Sequence, residues 1–420
     1  MAQRRDSGTG VKRESSRKSQ TARAVEKSRA EKPKAEKTRA EKPRTGKPKT
    51  EKFDYESELR QKEARIRRLI GEFGTVQPIV GMKDPYHYRN KVTAVFGHEK
   101  GEIISGTYRP GTHIIVPKDS DPLEDEKADE IIVAIRKLCR SFKIKSYDED
   151  TGYGLLRYVM VRVAKKTGQI MVILVVASPI FPGSRNFVKV LREMFPEIST
   201  IVLNINTRTD SMVLDTREKI LYGKGYIEDE LCGMRFRISP TSFYQVNAVQ
   251  TEKFYAKALK YADLKGKETV IDAYCGIGTI GITAAPHALQ VIGVEINEEA
   301  VKDARINAKL NGIENIRFAA GDAGDFMVHM RDAGEKADVV IMDPPRAGST
   351  EEFIDCVAYM QPKKGVYISC NPETLARDLK LFKERGYGML EATPFDAFPH
   401  TEHAEVCALL IRERNDTKAD

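Results

Sequence analysis

The sequence predicts an α/β protein whose C-terminal half is a doubly wound, Rossmann-like domain, preceded by an α+β domain and a disordered basic tail. From about Ser239 onward, short apolar runs typical of buried strands alternate with helical segments, which indicates a parallel sheet with helices on both faces. The first 52 residues hold 18 Lys and Arg against seven Asp and Glu, with few apolar residues, so they cannot bury a core. We therefore expect three parts, over 1–52, 53–238 and 239–415.

The predicted tail has a net charge of +11, which leaves −3 on the remaining 368 residues. Five-residue units that begin with Glu-Lys recur from Glu26 onward, and the prolines in them block a continuous helix. Two interpretations remain open. The tail either attracts the phosphates of RNA, with a strong dependence on salt, or is a solvated extension without a specific partner.

Several classes of protein do not fit the composition. No run of about 20 apolar residues could span a membrane, and the polar N-terminus lacks the apolar segment of a secretory signal. The cysteines form no C-x-x-C pair, which argues against a zinc site and against a disulfide framework. We therefore expect a cytoplasmic protein without a metal site. The six scattered cysteines are Cys139, Cys232, Cys275, Cys356, Cys370 and Cys407.

The α+β domain is expected to begin with one charged amphipathic helix over 55–73, which ends near Gly71 and Gly74. Beyond it, alternating apolar runs and helical periodicity predict strands and helices in turn. The strands are expected over 88–95 and 169–176, and the helices over 124–142 and 184–194.

The same patterns predict six strands and three helices in the sheet domain. The strands are expected over 268–273, 290–294, 316–319, 337–342, 365–369 and 406–411. The helices are expected to begin at Thr279 and to span 300–311 and 373–385.

The first strand of this domain runs into a glycine-rich turn, Asp272-Ala273-Tyr274-Cys275-Gly276-Ile277-Gly278-Thr279. Such a turn lets a ligand approach the backbone closely at the carboxyl end of the strand. Glu295, nineteen residues past Gly276, ends the next strand and can accept hydrogen bonds from ribose hydroxyls. Asp322 follows the third strand, well placed for an adenine amino group. With Asp272, these acids suit a cationic ligand that carries a ribose.

A dinucleotide-dependent enzyme is the rival interpretation of this turn. We expect the third glycine of a dinucleotide site, which packs the helix closely against the strand, to be missing, with Gly281 out of register. This expectation and the third acidic position favour S-adenosylmethionine over NAD.

The fourth strand ends in Asp343-Pro344-Pro345-Arg346, a rigid segment at the sheet edge where a substrate should lie. Methyltransferases that act on amino groups carry a similar motif, but an aromatic residue follows it to stack on the target base. Arg346 in that place counts against methylation of an amino group.

The fifth strand delivers Cys370 to the same edge. A cysteine there fits methylation of carbon 5 of uracil, a carbon too weakly nucleophilic to take a methyl group from a sulfonium unaided. A thiolate that adds to carbon 6 makes carbon 5 reactive, and a base must then remove the carbon 5 proton before the thiolate leaves. Cys370 also precedes a predicted helix, whose N-terminal dipole would lower the pKa of the thiol. The alternative role of a free cysteine, as a small buried apolar residue, is preferred for Cys139, Cys232, Cys356 and Cys407.

Four candidates for the base lie in one segment before the last apolar strand: His400, Glu402, His403 and Glu405. A histidine has the more convenient pKa near neutral pH, so the chemistry alone does not select Glu405.

Together these residues resemble the uracil-5 RNA methyltransferases, specifically the RumA-like branch that acts on 23S ribosomal RNA. The resemblance covers residues 76–412 and depends on six motifs that are highly specific as a set. They are Tyr88-Arg89-Asn90-Lys91, Ser242-Phe243-Tyr244-Gln245-Val246-Asn247, Asp272-Ala273-Tyr274-Cys275-Gly276-Ile277-Gly278, Asp343-Pro344-Pro345-Arg346, Ser369-Cys370-Asn371-Pro372 and Pro399-His400-Thr401-Glu402-His403-Ala404-Glu405.

The resemblance implies a class I methyltransferase domain that uses S-adenosylmethionine, with Cys370 as the nucleophile and Glu405 as the base. It places Gln245, Tyr274, Thr279, Glu295, Asp343 and Asp322 around the cofactor, beside Gly276 and Gly278 of the turn. The expected partner is RNA, with 23S ribosomal RNA as the first choice and transfer RNA as the nearest alternative. An RNA-binding assembly factor without activity is the alternative from a different class. No membrane or protein partner is implied.

Two features depart from the family pattern. Many relatives begin with a small β-barrel RNA-binding domain, for which we expect no room between the tail and Tyr88. Some relatives hold an iron–sulfur cluster through four cysteines of the N-terminal half. Because no cysteine precedes Cys139, we expect no cluster. The basic tail is a candidate substitute for the barrel.

Overall fold

Helix α1 (Tyr55–Ile70) opens the part of the chain that the computed structural model describes, residues 54–413. The predicted tail and both interpretations of it lie outside the described residues. The helix ends beside Gly71, whose N–H donates to the carbonyl of Arg67, so the predicted end near two glycines is confirmed.

A seven-stranded, mainly antiparallel sheet forms the first half of the described chain, with strand order β4-β3-β2-β5-β6-β7-β8. Its one parallel pair, β6 and β7, is connected through helix α3, and helices α2 and α3 cover one face with apolar side chains. The elements are β2 (Lys91–Glu99), β3 (Glu102–Tyr108), β4 (Ile115–Pro117), α2 (Glu126–Ser141), β5 (Leu156–Val163), β6 (Ile170–Val176), α3 (Ser184–Met194), β7 (Ile198–Ile205) and β8 (Glu218–Tyr222).

An eight-stranded sheet forms the second half, with strand order β1-β16-β17-β15-β14-β11-β12-β13. A hairpin, β9 (Ile227–Leu231) and β10 (Met234–Ile238), precedes it. The strands of the large sheet are β1 (Thr75–Val76), β11 (Thr269–Ala273), β12 (Gln290–Glu295), β13 (Ile316–Ala320), β14 (Val339–Met342), β15 (Lys364–Ser369), β16 (Tyr387–Phe395) and β17 (Glu405–Arg412).

Helices cover both faces of the large sheet, as the predicted Rossmann-like fold requires. Two apolar clusters lie on opposite faces of the strands, one with α4, α5 and α6 and the other with α1, α7, α8 and α9. These helices are α4 (Ala248–Ala262), α5 (Thr279–Ala284), α6 (Glu298–Leu310), α7 (Ala323–Asp332), α8 (Glu351–Met360) and α9 (Pro372–Glu384), and a short 3-10 helix, Ala285–His287, follows α5.

The strand order reverses direction at β11, which lies between β14 and β12. In open α/β sheets, ligands bind beyond the carboxyl ends of the strands at such a reversal. The glycine-rich turn leaves β11 at this point, so the topology alone indicates where a cofactor would bind.

The large sheet is not purely parallel, and in this respect the prediction is wrong. Strand β17 runs antiparallel to both of its neighbours, β15 and β16. An apolar run reveals that a segment is a buried strand but contains no signal for its direction. The described residues belong to one compact unit, and the predicted domain division at 238/239 stays a prediction. None of the described helices combines the length and the apolar character needed to cross a membrane.

Helix α1 is joined to the C-terminal part of the chain by a buried charge network. Lys62, only 6% exposed, donates to Oδ1 of the fully buried Asp396 at 2.7 Å and lies 2.7 Å from Oε1 of Glu58. Tyr55 Oη donates to the other oxygen of Asp396 at 2.7 Å. Burial raises the pKa of Asp396 although Lys62 and Tyr55 oppose that change. The segment after β16 is therefore held by the first described helix.

Replacement of Lys62 by Ala should destabilise the protein by about 3–5 kcal/mol, because it removes the cation from a buried carboxylate. Arg60→Ala removes an exposed ion pair with Asp54 from the same helix, so it should cost less than about 1 kcal/mol. Urea unfolding of both variants measures the difference. Equal losses of stability would show that the buried network does not support the fold.

Candidate active site

The glycine-rich turn after β11 has an unusual backbone. Tyr274, Gly276 and Gly278 all have positive φ angles, of 64°, 56° and 83°. Glycine adopts this left-handed region without cost, whereas a tyrosine there stores strain of about 1–3 kcal/mol. The ring of Tyr274 packs on Phe353 with centroids 5.4 Å apart, which helps to hold this backbone. Strained backbone of this kind is typical of functional sites.

Two carboxylates fasten the turn from neighbouring strands. Glu295, at the end of β12, accepts a hydrogen bond from the N–H of Gly276 at 3.0 Å. Asp272 in β11 accepts one from the N–H of Gly281 in α5 at 2.7 Å. Burial raises the pKa of Asp272 to about 8, with Asp343 and Glu295 adding to the effect. Asp272 therefore braces helix α5 from inside the protein, whereas Glu295 is partly exposed at the ligand edge.

The expectation that Gly281 is out of register is wrong. Gly276, Gly278 and Gly281 occupy the first, third and sixth positions of a G-x-G-x-x-G pattern. A Cβ atom on Gly281 would lie 2.7 Å from Oδ2 of Asp272, so this glycine does allow the close packing of helix and strand. The glycine pattern consequently gives no reason to prefer S-adenosylmethionine over NAD.

Asp322 has a structural role that its sequence position did not reveal. It is the N-cap of α7, where its Oδ1 accepts from the N–H groups of Gly324 and Asp325 at 2.7 and 3.3 Å. Its side chain is exposed beyond β13. A contact with adenine remains a prediction.

The segment before α4 connects the two sheets at the cofactor edge. Asn90 donates through Nδ2 to the carbonyl of Gln245 at 3.0 Å, and its own N–H donates to the carbonyl of Val246 at 2.9 Å. The side chain of Gln245 is partly exposed. Asn90 belongs to the Tyr88–Lys91 motif, so this motif fixes the position of the Gln245 segment.

Tyr255 of α4 is a site residue that the sequence patterns missed. Its hydroxyl lies 2.9 Å from Oγ1 of Thr279, the first residue of α5. Burial raises its pKa well above the ordinary value, and the nearby Asp343 contributes. Tyr255 therefore contacts Thr279 from a helix that covers one face of the sheet. Tyr255 could have been found from the sequence only if helix α4 had been predicted.

Cys370 directly follows β15, and Glu405 is the first residue of the adjacent strand β17. Residues of β15 and β17 pair in antiparallel register up to Ser369↔Val406. Cys370 and Glu405 are the next residues beyond this pair, and the two groups are close enough for Glu405 to raise the pKa of the thiol. Glu405 is buried, and within the described part of the chain its Oε2 accepts no hydrogen bond. A partly exposed thiol thus lies beside a buried carboxyl group that has one oxygen without a hydrogen-bond partner among the described residues.

The predicted lowering of the Cys370 pKa is wrong for this structure. Burial raises it to about 11, and Glu405 and Asp343 add to the rise, while Arg346 opposes it. Helix α9 does begin at Pro372, but burial of the thiol, followed by the two carboxyl groups, raises the pKa of Cys370. Burial likewise raises the pKa of Glu405 to about 8 and that of Asp343 to about 7. Near neutral pH the free site therefore keeps its thiol protonated.

The other three candidates for the base are engaged differently. The N–H of His400 donates to Oε1 of Glu58 at 2.8 Å, and its Nδ1 lies 3.3 Å from Oε2 of the same residue. Nδ1 of His403 lies 3.3 Å from Nη2 of Arg346, and the side chain of Glu402 is exposed. Of the four candidates, Glu405 is the one that lies in β17, next to the last residue paired with β15.

The hydrogen-bond acceptors at this edge of the sheet fit S-adenosylmethionine. Carboxyl groups of Glu295 and Asp343 lie beyond the ends of β12 and β14, on either side of the turn at Gly276. Such acceptors suit ribose hydroxyls and a positively charged ligand. In the described residues, no group of three or more His, Cys, Asp or Glu side chains could hold a metal ion.

The fold and the edge at which these side chains gather define a Rossmann-like methyltransferase. A family model described as tRNA (uracil-5-)-methyltransferase matches residues 54–413. The chain therefore belongs to the tRNA (uracil-5-)-methyltransferase family, and the resemblance seen in its motifs is confirmed.

Individual relatives agree with this assignment. An uncharacterized RNA methyltransferase of Halalkalibacterium halodurans is 40% identical over 365 residues, which are 86% of this chain and 80% of the relative. An uncharacterized RNA methyltransferase of Caldanaerobacter subterraneus is also 40% identical, over 86% of this chain and 81% of its own length. The crystal structure of the tRNA (uracil-54, C5)-methyltransferase of Pyrococcus abyssi, in complex with S-adenosyl-L-homocysteine, has a TM-score of 0.73 and 28% identity, and it covers 85% of this chain and 84% of its own.

Glu405→Gln should make stability less dependent on pH. Since the folded state raises the carboxyl pKa from 4.5 to about 8, the wild type loses stability as pH rises through this window, whereas glutamine cannot ionise. The unfolding free energy of the variant relative to wild type should therefore increase by at least about 1 kcal/mol between about pH 5 and pH 8. Denaturant titrations across that range measure it, with exposed Glu402→Gln as the control for removing one charge. A constant difference would contradict a buried, protonated Glu405.

Proposed function

We propose that this protein methylates carbon 5 of uracil in RNA through a covalent adduct between Cys370 and carbon 6. The observation that supports this most strongly is that Cys370 and Glu405 lie one residue beyond the last β15–β17 pair, Ser369↔Val406, close enough for Glu405 to raise the pKa of the thiol. The family assignment gives the reaction class, and the two side chains provide the nucleophile and the base that the class requires.

The chain's own residues carry out the steps around the methyl transfer. The Cys370 sulfur forms a bond to carbon 6, and the electron pair of the 5,6 double bond moves toward carbon 5 and the carbonyl at carbon 4. After carbon 5 has received the methyl group, Glu405 accepts the carbon 5 proton. The double bond then re-forms as the sulfur leaves as a thiolate, and Glu405 releases the accepted proton to solvent, which restores the enzyme.

S-adenosylmethionine supplies the methyl group as an electrophilic carbon when it is bound. We assign its binding to the glycine-rich turn at Gly276 and Gly278 and to side chains around it. These are Gln245, Tyr274, Thr279, Glu295, Asp322 and Asp343. The solved relative from Pyrococcus abyssi, bound to S-adenosyl-L-homocysteine, supports this choice of cofactor.

The protonation state of the free site puts a condition on the mechanism. Both Cys370 and Glu405 hold their protons near neutral pH, with pKa values of about 11 and about 8. A thiolate and a carboxylate are nevertheless required during the reaction. We infer that substrate binding promotes ionisation of both groups, with Arg346 as the nearby cation that favours their charged forms.

The RNA substrate is proposed to be 23S ribosomal RNA, as the motif resemblance implies. Transfer RNA is the second candidate, favoured by the family description and by the tRNA (uracil-54, C5)-methyltransferase with the same fold. A noncatalytic assembly factor would not need an intact thiol and carboxyl group in register. The cytoplasmic location stays a prediction.

Deletion of the gene should remove 5-methyluridine from specific positions of 23S ribosomal RNA and leave that of transfer RNA unchanged. The reason is that the proposed catalytic pair can methylate only the RNA that the RNA-binding surface selects, which we propose to be 23S ribosomal RNA. Mapping of 5-methyluridine in both RNAs from deleted and complemented cells tests this. Loss of the modification from transfer RNA alone would establish the second candidate instead.

Cys370→Ala should abolish methyl transfer to RNA, because it removes the sulfur that adds to carbon 6 in the proposed mechanism. Wild-type protein should form a denaturation-resistant adduct with RNA that contains 5-fluorouracil. Fluorine replaces the hydrogen at carbon 5 in this base, so the elimination step has no proton to remove and the sulfur cannot leave. Gel electrophoresis under denaturing conditions and transfer of a labelled methyl group measure the two results.

Glu405→Gln is the matched variant for this experiment. It keeps the thiol, so it should still form the adduct, but it should release methylated RNA at least about 100-fold more slowly because the base is missing. Methylation by Cys370→Ala at the wild-type rate would refute the mechanism.

A further inference from the structure

Arg65 of helix α1 contacts both of the segments that carry the proposed catalytic pair. Its Nη1 donates to the backbone carbonyl of Glu402 at 2.9 Å, and its Nη2 forms an ion pair with the carboxylate of Glu373. Glu402 lies three residues before Glu405, and Glu373 lies three residues after Cys370. One guanidinium group therefore bridges two chain segments that each lead directly to a reacting side chain.

We propose that Arg65 is a positioning residue that fixes the separation between the Cys370 thiol and the Glu405 carboxyl group. This inference rests on the proposed function of those two residues. It concerns a residue more than 300 positions away from both in sequence, outside every motif by which the family resemblance was found.

Pairing between β15 and β17 does not by itself fix the distance between the Cys370 thiol and the Glu405 carboxyl group. The register between β15 and β17 ends at Ser369↔Val406, one step before the catalytic pair. Cys370 occupies the short connection between the end of β15 and the start of α9 at Pro372. Glu405 itself is paired with Phe395 of β16, whereas Cys370 lies beyond the last pair of β15, and Arg65 contacts the chain on both sides of this gap.

Helix α1 is a firm support for this bridge. One turn before Arg65, the buried Lys62 donates to Asp396 and, at 3.1 Å, to the carbonyl of Phe398. Glu58 accepts from the N–H of His400. These contacts fasten the segment between β16 and β17 along the helix, so that Arg65 continues a row of contacts toward Glu402.

The chemistry of arginine suits two partners on different segments. Its planar guanidinium presents several N–H donors in a fixed geometry, whereas the ammonium of lysine is a single compact charge. The side chains of Arg65 and Glu373 are 42% and 48% exposed. An ion pair at that exposure contributes little to stability, so Arg65 has little importance for the fold itself.

A second role is chemically possible for an exposed arginine in an RNA enzyme, namely contact with a phosphate. The two roles differ in what they change. Loss of a phosphate contact weakens RNA binding and lowers its dependence on salt. Loss of a positioning contact slows the chemical step after RNA has bound.

The test is Arg65→Ala with full-length protein and an RNA that the wild type methylates. We expect the single-turnover rate at saturating RNA to fall roughly 10- to 100-fold, while KM for RNA stays within about twofold. Arg65→Lys should recover part of the rate. Arg67→Ala is the matched control, because Arg67 is 44% exposed on the same helix but pairs only within it, with Glu63. It should keep the wild-type rate.

Glu373→Gln gives a second, independent measure. If the bridge acts as a unit, this change should also slow the chemical step, and the double variant with Arg65→Ala should be no slower than Arg65→Ala alone. Urea unfolding should show almost the same midpoint for each variant as for wild type.

Three results would overturn the inference. They are an unchanged rate in Arg65→Ala, a raised KM with a smaller salt dependence at unchanged rate, and a rate loss matched by a loss of stability. Failure of the proposed function itself is recognised separately, because Cys370→Ala would then remain active and no adduct with 5-fluorouracil RNA would form. With that mechanism intact, each outcome for Arg65 supports or rejects the positioning role alone.

Discussion

The antiparallel insertion of β17 beside β15 is the constraint on which the active site depends. In a purely parallel sheet, the cofactor edge receives only the carboxyl ends of strands. Because β17 runs the other way, its first residue reaches the same edge as the last residue of β15. The chain can thus deliver Cys370 and Glu405 from opposite strand ends to one place. A shift of β17 by one residue would turn the side chain of Glu405 to the other face of the sheet, so the buried cores on the two sides also fix its position.

Burial and crowding of acidic groups at this edge determine the protonation state of the free site. Asp343 and Glu405 are poorly solvated, so burial raises the pKa of both, to about 7 and about 8. Their proximity also disfavours a thiolate at Cys370, and Arg346 opposes the effect only in part. A neutral thiol is a weak nucleophile, so the proposed mechanism requires that substrate binding promotes the ionisation of Cys370. Under that mechanism, reactivity is a property of the complex with RNA and not of the cysteine alone.

Much of the fold could be predicted because it depends on local patterns. The helix at 184–194 and the strand ending at Val176 follow from periodicity and were found at or near their observed limits. Helix α4 was missed, since polar Gln250 and Thr251 are buried along with its apolar residues and obscure the stripe. The choice of Glu405 among four acids and histidines depends on strand register, which periodicity cannot supply. The pKa of Cys370 was misjudged because its carboxyl neighbours come from distant parts of the chain.

The position of α1 shows why the site cannot be understood from its motifs alone. Lys62 and Asp396 are 334 residues apart in sequence, yet they form one buried pair, and Arg65 reaches across a similar separation to Glu402. The first described helix therefore contacts the segment that precedes β17, which is the last strand of the large sheet along the chain. Contacts between such distant segments must offset the entropy of closing a long loop, which the fold of the intervening chain helps to do. The segment that leads to Glu405 is thus held by a helix far away in sequence, so under the proposed mechanism changes in α1 can alter the reaction without touching a reacting atom.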